Sequence, residues 1–309
     1  MTTTVHPEPT LTQTQSDNSR NEHPMTMTHA IAETETLPHP VETTTEPIRR
    51  SERDPGVGFG RLIHAEWFKF RTVRSNMLAV VGAGGAAVSL GMLFASLAET
   101  GEGPGRLAND GLSLSLGGFN LSQIIIAILG VAIVASEYQS GLIRSWFAAA
   151  PSRLQVLGAK VGVYTAVAFV STAVAATVAF LAGQAVMPES IAMSLTDDGV
   201  IQALAGTAFY AACIGAIGVA LGFLLRSTAA GAGVVVSTLL IAPLMVSLLP
   251  SSIGDPIADI LPSNASAAVT GMGAVGQEVM STGAGIAVLL GWVVASVTAA
   301  AVVVRRRDA

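Results

Sequence analysis

The sequence predicts an all-α integral membrane protein with six transmembrane helices. Only 12% of the 309 residues are charged and 51% are hydrophobic, whereas a soluble domain is about a quarter charged. The hydrophobic residues also lie in long runs without Asp, Glu, Arg or His, each near or above the roughly 20 residues that cross a bilayer as a helix. A soluble core would need six such helices buried in one modest domain, which is the poorer interpretation. The predicted spans are residues 77–97, 117–135, 156–187, 200–225, 229–249 and 284–304.

The first 57 residues have a different composition from the rest of the chain. Thr, Pro, Glu and His dominate them, and they show no apolar periodicity. This composition is typical of disorder, so residues 1–57 are predicted to be a disordered cytoplasmic tail. The tail is too acidic for a transit peptide and lacks the apolar core of a signal peptide, so no cleaved signal is expected.

Residues 58–76 are predicted to form an amphipathic helix on the inner leaflet. At helical spacing, one side carries Leu62, Ile63, Trp67, Phe70 and Val73. Around the other side lie Arg61, His64, Lys69 and Arg71. A basic amphipathic helix with aromatic residues directly before a span favours an interfacial position. An ordinary basic flank is the alternative, but Glu66 falls on the apolar side, where a helix covered by protein would pair it with a base.

Between the second and third spans, residues 136–151 predict a short cytoplasmic helix. Ser136 is its candidate N-cap, Glu137 would lie in its first turn, and Pro151 would end it. The apolar face would consist of Tyr138, Leu142, Ile143, Trp146 and Phe147. The polar face would consist of Glu137, Ser140, Gly141 and Arg144. Ser152 would then cap the third span, and a structured turn is the alternative to the short helix.

The charges of the connecting segments predict the orientation in the membrane. Basic and acidic connections alternate along the chain, and of sixteen Lys and Arg only Arg106 falls on an acidic side. By the positive-inside rule, both termini are therefore expected to be cytoplasmic. Residues 305–309 are then a basic cytoplasmic end. The run "RRR" within it is better explained as a topology anchor than as a nucleic-acid patch, so no nucleic-acid partner is expected.

Several kinds of chemistry have no residues to support them. All five histidines precede the first span, no Asp or Glu lies within a span, and Cys213 is the only cysteine. No P-loop motif occurs, and "GMGAVG" lies in an external loop without the strand that a dinucleotide site needs. We therefore expect no catalytic, cofactor or metal site, and no enzyme activity in this chain.

Two quoted segments carry a resemblance to a known family. "HAEWFKFRTVRSNMLAV", followed by "GVAIVASEYQSGLIRSWFAAAPSRLQVLGAK", is similar to the permease subunits of type-two ATP-binding-cassette exporters, especially actinobacterial ones. The likeness extends from about Gly60 to Arg307, and it includes an acid–x–x–x–Gly core from Glu137 to Gly141. It implies an amphipathic elbow helix, six spans, and a coupling helix between the second and third spans.

The resemblance also implies a function and partners. Two permeases and two ATPases would assemble in the cell membrane, and ATP-driven closure of the ATPases would reach the spans through the coupling helices. Expected partners are thus an ATP-binding-cassette ATPase, a second permease copy or homologue, and the lipid bilayer. The partner-coupling residues would be Glu137, Ser140, Gly141 and Arg144. The elbow helix would use Glu66, Trp67, Lys69 and Arg71.

Two other functions and two weak signals complete the predictions. One alternative is a secondary transporter, which would need ionisable groups or broken helices within the membrane. The other is a non-transporting scaffold or sensor, which would act through the tail. Glycine pairs such as Gly218–Gly222 are weak evidence for a dimer face. Small polar residues are candidates for a substrate path without defining a ligand: Asn120, Ser122, Gln123 and Gln202.

Overall fold

The computed structural model describes residues 58–99, 111–150, 152–272 and 280–306. All of them belong to one compact unit, Arg53–Ala309. The predicted tail, Pro151 and residues 307–309 lie outside the described residues.

The described residues form α-helices and one π-helical turn, and no strand occurs among them. In chain order they are α1 (Phe59–Thr72), α2 (Arg74–Glu99), α3 (Gly111–Leu116), α4 (Phe119–Gln139), α5 (Leu142–Ala149), α6 (Arg153–Val186), α7 (Val200–Leu225), α8 (Thr228–Val236), the π-helical turn Ser237–Ile241, α9 (Ala242–Val246), α10 (Ser251–Asp259), α11 (Pro262–Thr270) and α12 (Thr282–Arg306).

Six segments of the described chain are long and apolar enough to cross a membrane. They are Arg74–Leu97, Gly111–Gln139, Arg153–Val186, Val200–Leu225, Thr228–Val246 and Thr282–Arg306. The predicted class, an all-α protein with six transmembrane helices, is confirmed. The fifth of these segments is assembled from α8, the π-helical turn and α9, a break that no sequence pattern indicated.

Helix bounds differ from the apolar runs mainly where polar residues extend a helix. Val73 is extended between α1 and α2, so residues 74–76 belong to α2 and not to the interfacial helix. α6 has 34 residues and is therefore about 50 Å long, whereas the hydrocarbon core is about 30 Å thick. The first turns of α6 can consequently lie beyond the hydrocarbon.

α7 is the central helix of the bundle. It packs against α4, α6, α11 and α12, and 72% of its most hydrophobic window is buried, compared with 11% for α12. At Gly218 a Cβ atom would lie 2.3 Å from the Ala127 carbonyl oxygen of α4, so only glycine permits this close approach. The Gly218–Gly222 pair therefore packs within the chain, and the weak indication of a dimer face there was wrong.

The bundle has two ends, which the helices α4 and α7 connect. We call the end with α1, α5, the last turns of α4 and α7 and the first turns of α6 the α5 end. Its core contains Phe70, Val134, Ile143, Leu157 and Phe223. The other end, with α3, α11 and the first turns of α4 and α7, is the α11 end. A separate core near it contains Leu112, Leu116, Phe119, Phe180 and Val200.

Candidate functional site

Four ionisable side chains meet at the α5 end. Glu66 and Lys69 come from α1, Glu137 from α4 and Lys160 from α6, and we call them the ion cluster. Lys160 Nζ donates to Glu66 Oε1 at 2.7 Å and to Glu137 Oε1 at 2.6 Å. Lys69 forms a second ion pair with Glu137. Two acids and two bases thus join three helices with no net formal charge.

Three members of the ion cluster are almost fully buried. Glu66 is 6% exposed, and Glu137 and Lys160 are each 2% exposed. Glu66 faces inward because it lies one helical turn from both Leu62 and Phe70, the other buried residues of α1. Buried charges are tolerated when they are paired, and removing one partner typically costs about 3–5 kcal/mol. The ion cluster therefore holds α1 against α4 and α6.

Lys69 is the member with the most exposed side chain, 24%, although its ammonium nitrogen is itself buried. Burial, and then the nearby charge of Lys160, lower the pKa of Lys69 from 10.5 to about 8, although the Glu66 carboxylate opposes this shift. The chain has only two lysines, and both belong to the ion cluster. All other bases except histidine are arginines, whose guanidinium stays charged.

The start of the short helix at residues 136–151 was predicted wrongly. Ser136 and Glu137 lie in the last turn of α4, which continues to Gln139. The short helix α5 begins only at Leu142, after Gly141, whose φ of 74° is left-handed. Glycine takes this conformation without strain and commonly ends a helix with it. Because helical periodicity continues up to this glycine, the spacing of side chains did not show where α4 ends.

The predicted partner-coupling residues fall into two groups, because α4 includes Glu137 and α5 begins only at Leu142. Glu137 does not share a polar face with the others, because it is buried in the ion cluster. Ser140, Gly141 and Arg144 instead lie beside an open groove. Downstream, the predicted cap is confirmed, since the Ser152 hydroxyl accepts a hydrogen bond from the Gln155 backbone N–H at 3.3 Å.

Aromatic side chains connect α5 to the neighbouring spans. The Lys160 ammonium lies 5.7 Å from the centre of the Trp146 ring, and the Arg153 guanidinium lies 5.5 Å from that of Phe147. Arg153 also donates to the Val304 carbonyl oxygen of α12 at 3.4 Å. Both ring contacts are within the range of cation–π attraction. Through Trp146, α5 is therefore in direct contact with the ion cluster.

The groove beside α5 is open and basic. It is lined by Tyr138, Gln139, Ser140, Gly141, Ile143, Arg144 and Arg226. Arg144 is exposed, while the Arg226 guanidinium lies 4.7 Å from the centre of the Tyr138 ring. No acidic residue lines the groove among the described residues. Its arginines suit carboxylate groups, which they can bind through two parallel hydrogen bonds.

The predicted elbow residues occupy different faces of α1. Glu66 lies on the covered side of α1 and forms an ion pair with Lys160, as expected of an acid there. Trp67 is 48% exposed and Ile63 38% exposed, so the predicted apolar side divides into an inward stripe and an outward one. Arg71 is exposed, as expected of the basic side.

Two residues of the site were not singled out from the sequence. Lys160 and Arg226 counted only among the sixteen Lys and Arg whose distribution predicts the orientation, and neither was given a contact. A usable signal did exist for Lys160. It is the only charged residue in its apolar run, and Glu66 is the only acid on the apolar side of α1. The two residues are 94 positions apart in the sequence. Their opposite charges were therefore visible from the sequence, but their contact was not.

The described residues contain no group of three or more His, Cys, Asp and Glu that could hold a metal ion. The arrangement at the α5 end is thus one of paired charges and cation–π contacts that link helices to an exposed segment.

Comparison with known proteins identifies the family. A family model described as "ABC-2 family transporter protein" matches residues 62–247, more than half of the chain. The matched residues include the whole ion cluster, α5 and the groove. No curated protein matches the chain. With six candidate membrane spans and this family match, the chain belongs to the ABC-2 transporter family and is a multi-pass membrane permease of the type-two ATP-binding-cassette class.

Proposed function

We propose that this permease is driven by separate ATPase subunits that bind at α5, and that it exports its substrate. The observation that carries the proposal is the position of α5: its back contacts the ion cluster through Trp146, and its front borders the open basic groove. Family membership implies an ATP-binding-cassette partner. The direction of transport comes from the resemblance to exporters.

The groove is a suitable contact for an acidic surface of an ATPase. Arg144 is exposed on α5, and Arg226, directly after α7, also lines the groove. A carboxylate placed between them would meet two guanidinium groups and no competing acid among the described residues. Such complementarity favours a specific partner and accelerates association.

Contacts behind α5 provide a route from the groove to the spans. Moving α5 displaces Trp146, which lies over the Lys160 ammonium. Lys160 can follow only if Glu66 and Glu137 follow as well, because separating a buried ion from its partners costs several kcal/mol. We therefore infer that α1, α5, the end of α4 and the start of α6 move together. An ATPase that binds two states of this unit differently would shift the permease between them.

The distribution of charge supports a cytoplasmic position for the α5 end. Arg144, Arg153, Arg305 and Arg306 lie at this end of the bundle. The loops at the α11 end carry acids, among them Asp197 and Asp198. Under the positive-inside rule this asymmetry gives cytoplasmic termini in the cell membrane.

Exposed apolar helix faces leave room for a second permease copy. The most hydrophobic windows of the first, fifth and sixth spans are only 17%, 11% and 11% buried. In a membrane such faces contact lipid or another membrane protein. We propose that part of this surface pairs two permeases, so that two ATPases can act on them together.

Binding of the ATPase can be tested with one matched pair of charge reversals. The chain would be co-expressed with candidate P-loop ATPases from the same genome and purified through a tag on the permease. Arg144→Glu should reduce the co-purified ATPase about tenfold or more, because it puts like charge against the acidic partner. Arg61→Glu reverses an equally exposed base on α1, away from the groove, and should leave the yield unchanged.

Two results would contradict the proposal. Equal recovery of the ATPase with both variants would remove the groove from the interface. Transport by vesicles that contain the permease, but neither ATPase nor nucleotide, would instead identify a secondary transporter.

A further inference from the structure

A second polar region lies at the α11 end, far along α4 from the ion cluster. Here a cavity of about 100 Å³ opens between the first turns of α4, the first turns of α7, and α11. A single water needs only about 10–15 Å³ measured in this way, so the cavity can hold a small molecule or one ring of a larger one. Its polar lining consists of Ser113, Asn120, Gln123, Thr207, Tyr210, Ser266 and Thr270.

The cavity has no charged wall. No Asp, Glu, Lys, Arg or His lines it among the described residues, and its apolar lining includes Leu116, Phe119 and Ile126. An ion placed in such surroundings would lose its hydration without gaining a counter-charge. The lining therefore suits an uncharged molecule that combines an apolar body with hydrogen-bonding groups.

Tyr210 lines the cavity, and its buried hydroxyl is a hydrogen-bond donor that the described part of the fold does not use. Its side chain is 5% exposed, and its hydroxyl makes no hydrogen bond of acceptable geometry within the described part of the chain. The nearby Ser266 hydroxyl donates to the Ser263 carbonyl oxygen at 2.6 Å, and among the described residues it forms no hydrogen bond with Tyr210. A buried hydroxyl without a partner is unfavourable, and an acceptor on a ligand would remove this cost.

The neighbouring polar groups contrast with Tyr210. Thr207 and Thr270 donate their hydroxyls to carbonyl oxygens of their own helices, at 2.7 and 2.8 Å. The side-chain nitrogens of Asn120 and Gln123 donate to helix carbonyl oxygens in the same way, at 3.2 and 3.0 Å. The two side-chain amide oxygens can therefore accept a hydrogen bond from a ligand, as can lone pairs on the hydroxyl oxygens.

We propose that this cavity binds a small uncharged molecule that carries both a hydrogen-bond acceptor and a donor on an apolar ring. A carboxamide has this chemistry, since its oxygen can accept from Tyr210 and its nitrogen can donate to Gln123 or Asn120. That such a molecule is the transported substrate rests on the proposed function, whereas its binding does not.

Three photoreactive probes of nearly equal shape test the proposal on the purified full-length chain, without any ATPase. They are para-azidobenzamide, which is neutral, para-azidobenzoate, which is anionic, and para-azidobenzamidine, which is cationic. Labelled peptides would be mapped by mass spectrometry. The neutral probe should label residues 113–126, 207–211 or 266–272 at least tenfold more than either charged probe, and excess benzamide should suppress this labelling.

Matched tyrosine variants identify the group that binds. Tyr210→Phe should reduce the benzamide-sensitive labelling, measured at residues other than 210, about fivefold or more. Tyr138→Phe removes another buried hydroxyl, one at the α5 end that has no hydrogen-bond partner among the described residues, and it should leave the labelling unchanged. If Tyr210→Phe yields no folded protein, Gln123→Leu must show the same reduction.

Any of three results would overturn the proposal: equal labelling by the three probes, labelling that benzamide does not suppress, or labelling that both cavity variants leave unchanged. Because no ATPase is present, such a failure would leave the co-purification test of the proposed function unaffected. The two hypotheses can therefore fail independently.

Discussion

The polar side chains at the two ends of α4 are accommodated in different ways. At the C-terminal end, Glu137 is bound by Lys160 and Lys69, so charge is paired with charge within the chain. At the N-terminal end, Asn120 and Gln123 border a cavity that no charged residue of the described chain lines, beside a Tyr210 hydroxyl that has no partner there either. The fold uses the polarity of the first end, and the polarity of the second is available to a ligand.

The size of the energies explains why the two ends are built from different groups. An unpaired buried charge costs several kcal/mol, so an ion pair makes a rigid connection that few displacements can break. An unpaired hydroxyl costs only about 1–3 kcal/mol, which a folded bundle can tolerate until a ligand arrives. Charges therefore suit the end that is proposed to transmit force, and neutral groups suit the end that is proposed to bind and release a ligand.

The largest effect is expected from reversing the central acid of the ion cluster. Glu137→Lys would bring three lysines together with one carboxylate in a buried site, at a cost of about 3–5 kcal/mol or more. Its yield of monodisperse protein in fluorescence-detected size-exclusion chromatography should fall severely. The exposed reversal Arg144→Glu should keep a normal yield. The double exchange Glu137→Lys with Lys160→Glu should recover part of the loss.

A normal yield for Glu137→Lys alone would mean that the paired charges do not hold the helices together. The sequence by itself favours that outcome, because a Glu in the first turn of an exposed helix could be reversed at a local cost of about 0.3–1 kcal/mol. The yield of Glu137→Lys thus distinguishes a buried Glu137 in the ion cluster from an exposed Glu137 in the first turn of a short helix.

How much of this comparison was predictable depends on the range of the interactions. The six spans followed from apolar composition, a property of continuous segments, and Ser152 was recognised as a cap because capping is local. The burial of Glu137 was missed for two reasons. Glu137 belongs to the last turn of α4, which Gly141 separates from α5, and its partner Lys160 comes from α6. Helical periodicity shows neither.

The candidate binding residues show the same limit at the other end. Asn120 and Gln123 stood out as polar groups in an apolar run, and both line the cavity, whereas Ser122 and Gln202 do not. Tyr210 did not stand out, because a tyrosine in a span is usually a packing residue. Only the tertiary structure shows that its hydroxyl is buried without a partner.

A smaller effect is expected from the tryptophan that connects α5 to the ion cluster. Trp146→Ala removes apolar contact worth about 1.5–3 kcal/mol when a large side chain is buried, together with the cation–π contact to Lys160. Trp67→Ala is the matched control, since Trp67 is 48% exposed on α1. The melting temperature in detergent should fall more for Trp146→Ala. An equal or larger fall for Trp67→Ala would contradict the proposed connection.

Lys69 provides a test that depends on pH. The pKa of Lys69 is about 8 in the folded chain and near its ordinary value of 10.5 when unfolded. Between these pH values the unfolded chain binds more protons, so the contribution of Lys69 to stability rises with pH. Its unfavourable effect is fully present below about pH 8 and disappears by about pH 10.5.

The rate of lysine acetylation measures this pKa directly. Only Lys69, Lys160 and the chain's amino terminus can react, because there is no other lysine. Acetylation of Lys69, followed on its own peptide, should reach half of its maximal rate near pH 8. Lys69→Arg should abolish that signal, and a midpoint near pH 10 would show that the cluster does not desolvate Lys69.

The smallest effect, and the sharpest comparison, comes from removing one hydroxyl at each of two tyrosines. The Tyr164 hydroxyl donates to the Ile126 carbonyl oxygen at 2.5 Å, so Tyr164→Phe should reduce the free energy of unfolding by about 0.5–1.5 kcal/mol. Tyr210→Phe removes a hydroxyl without a partner and should leave stability unchanged or slightly higher. Melting temperatures of the two variants, measured in one detergent without ligand, decide the matter. A loss for Tyr210→Phe equal to that for Tyr164→Phe would mean that the fold itself uses the Tyr210 hydroxyl, and the contrast between the two ends of α4 would not hold there.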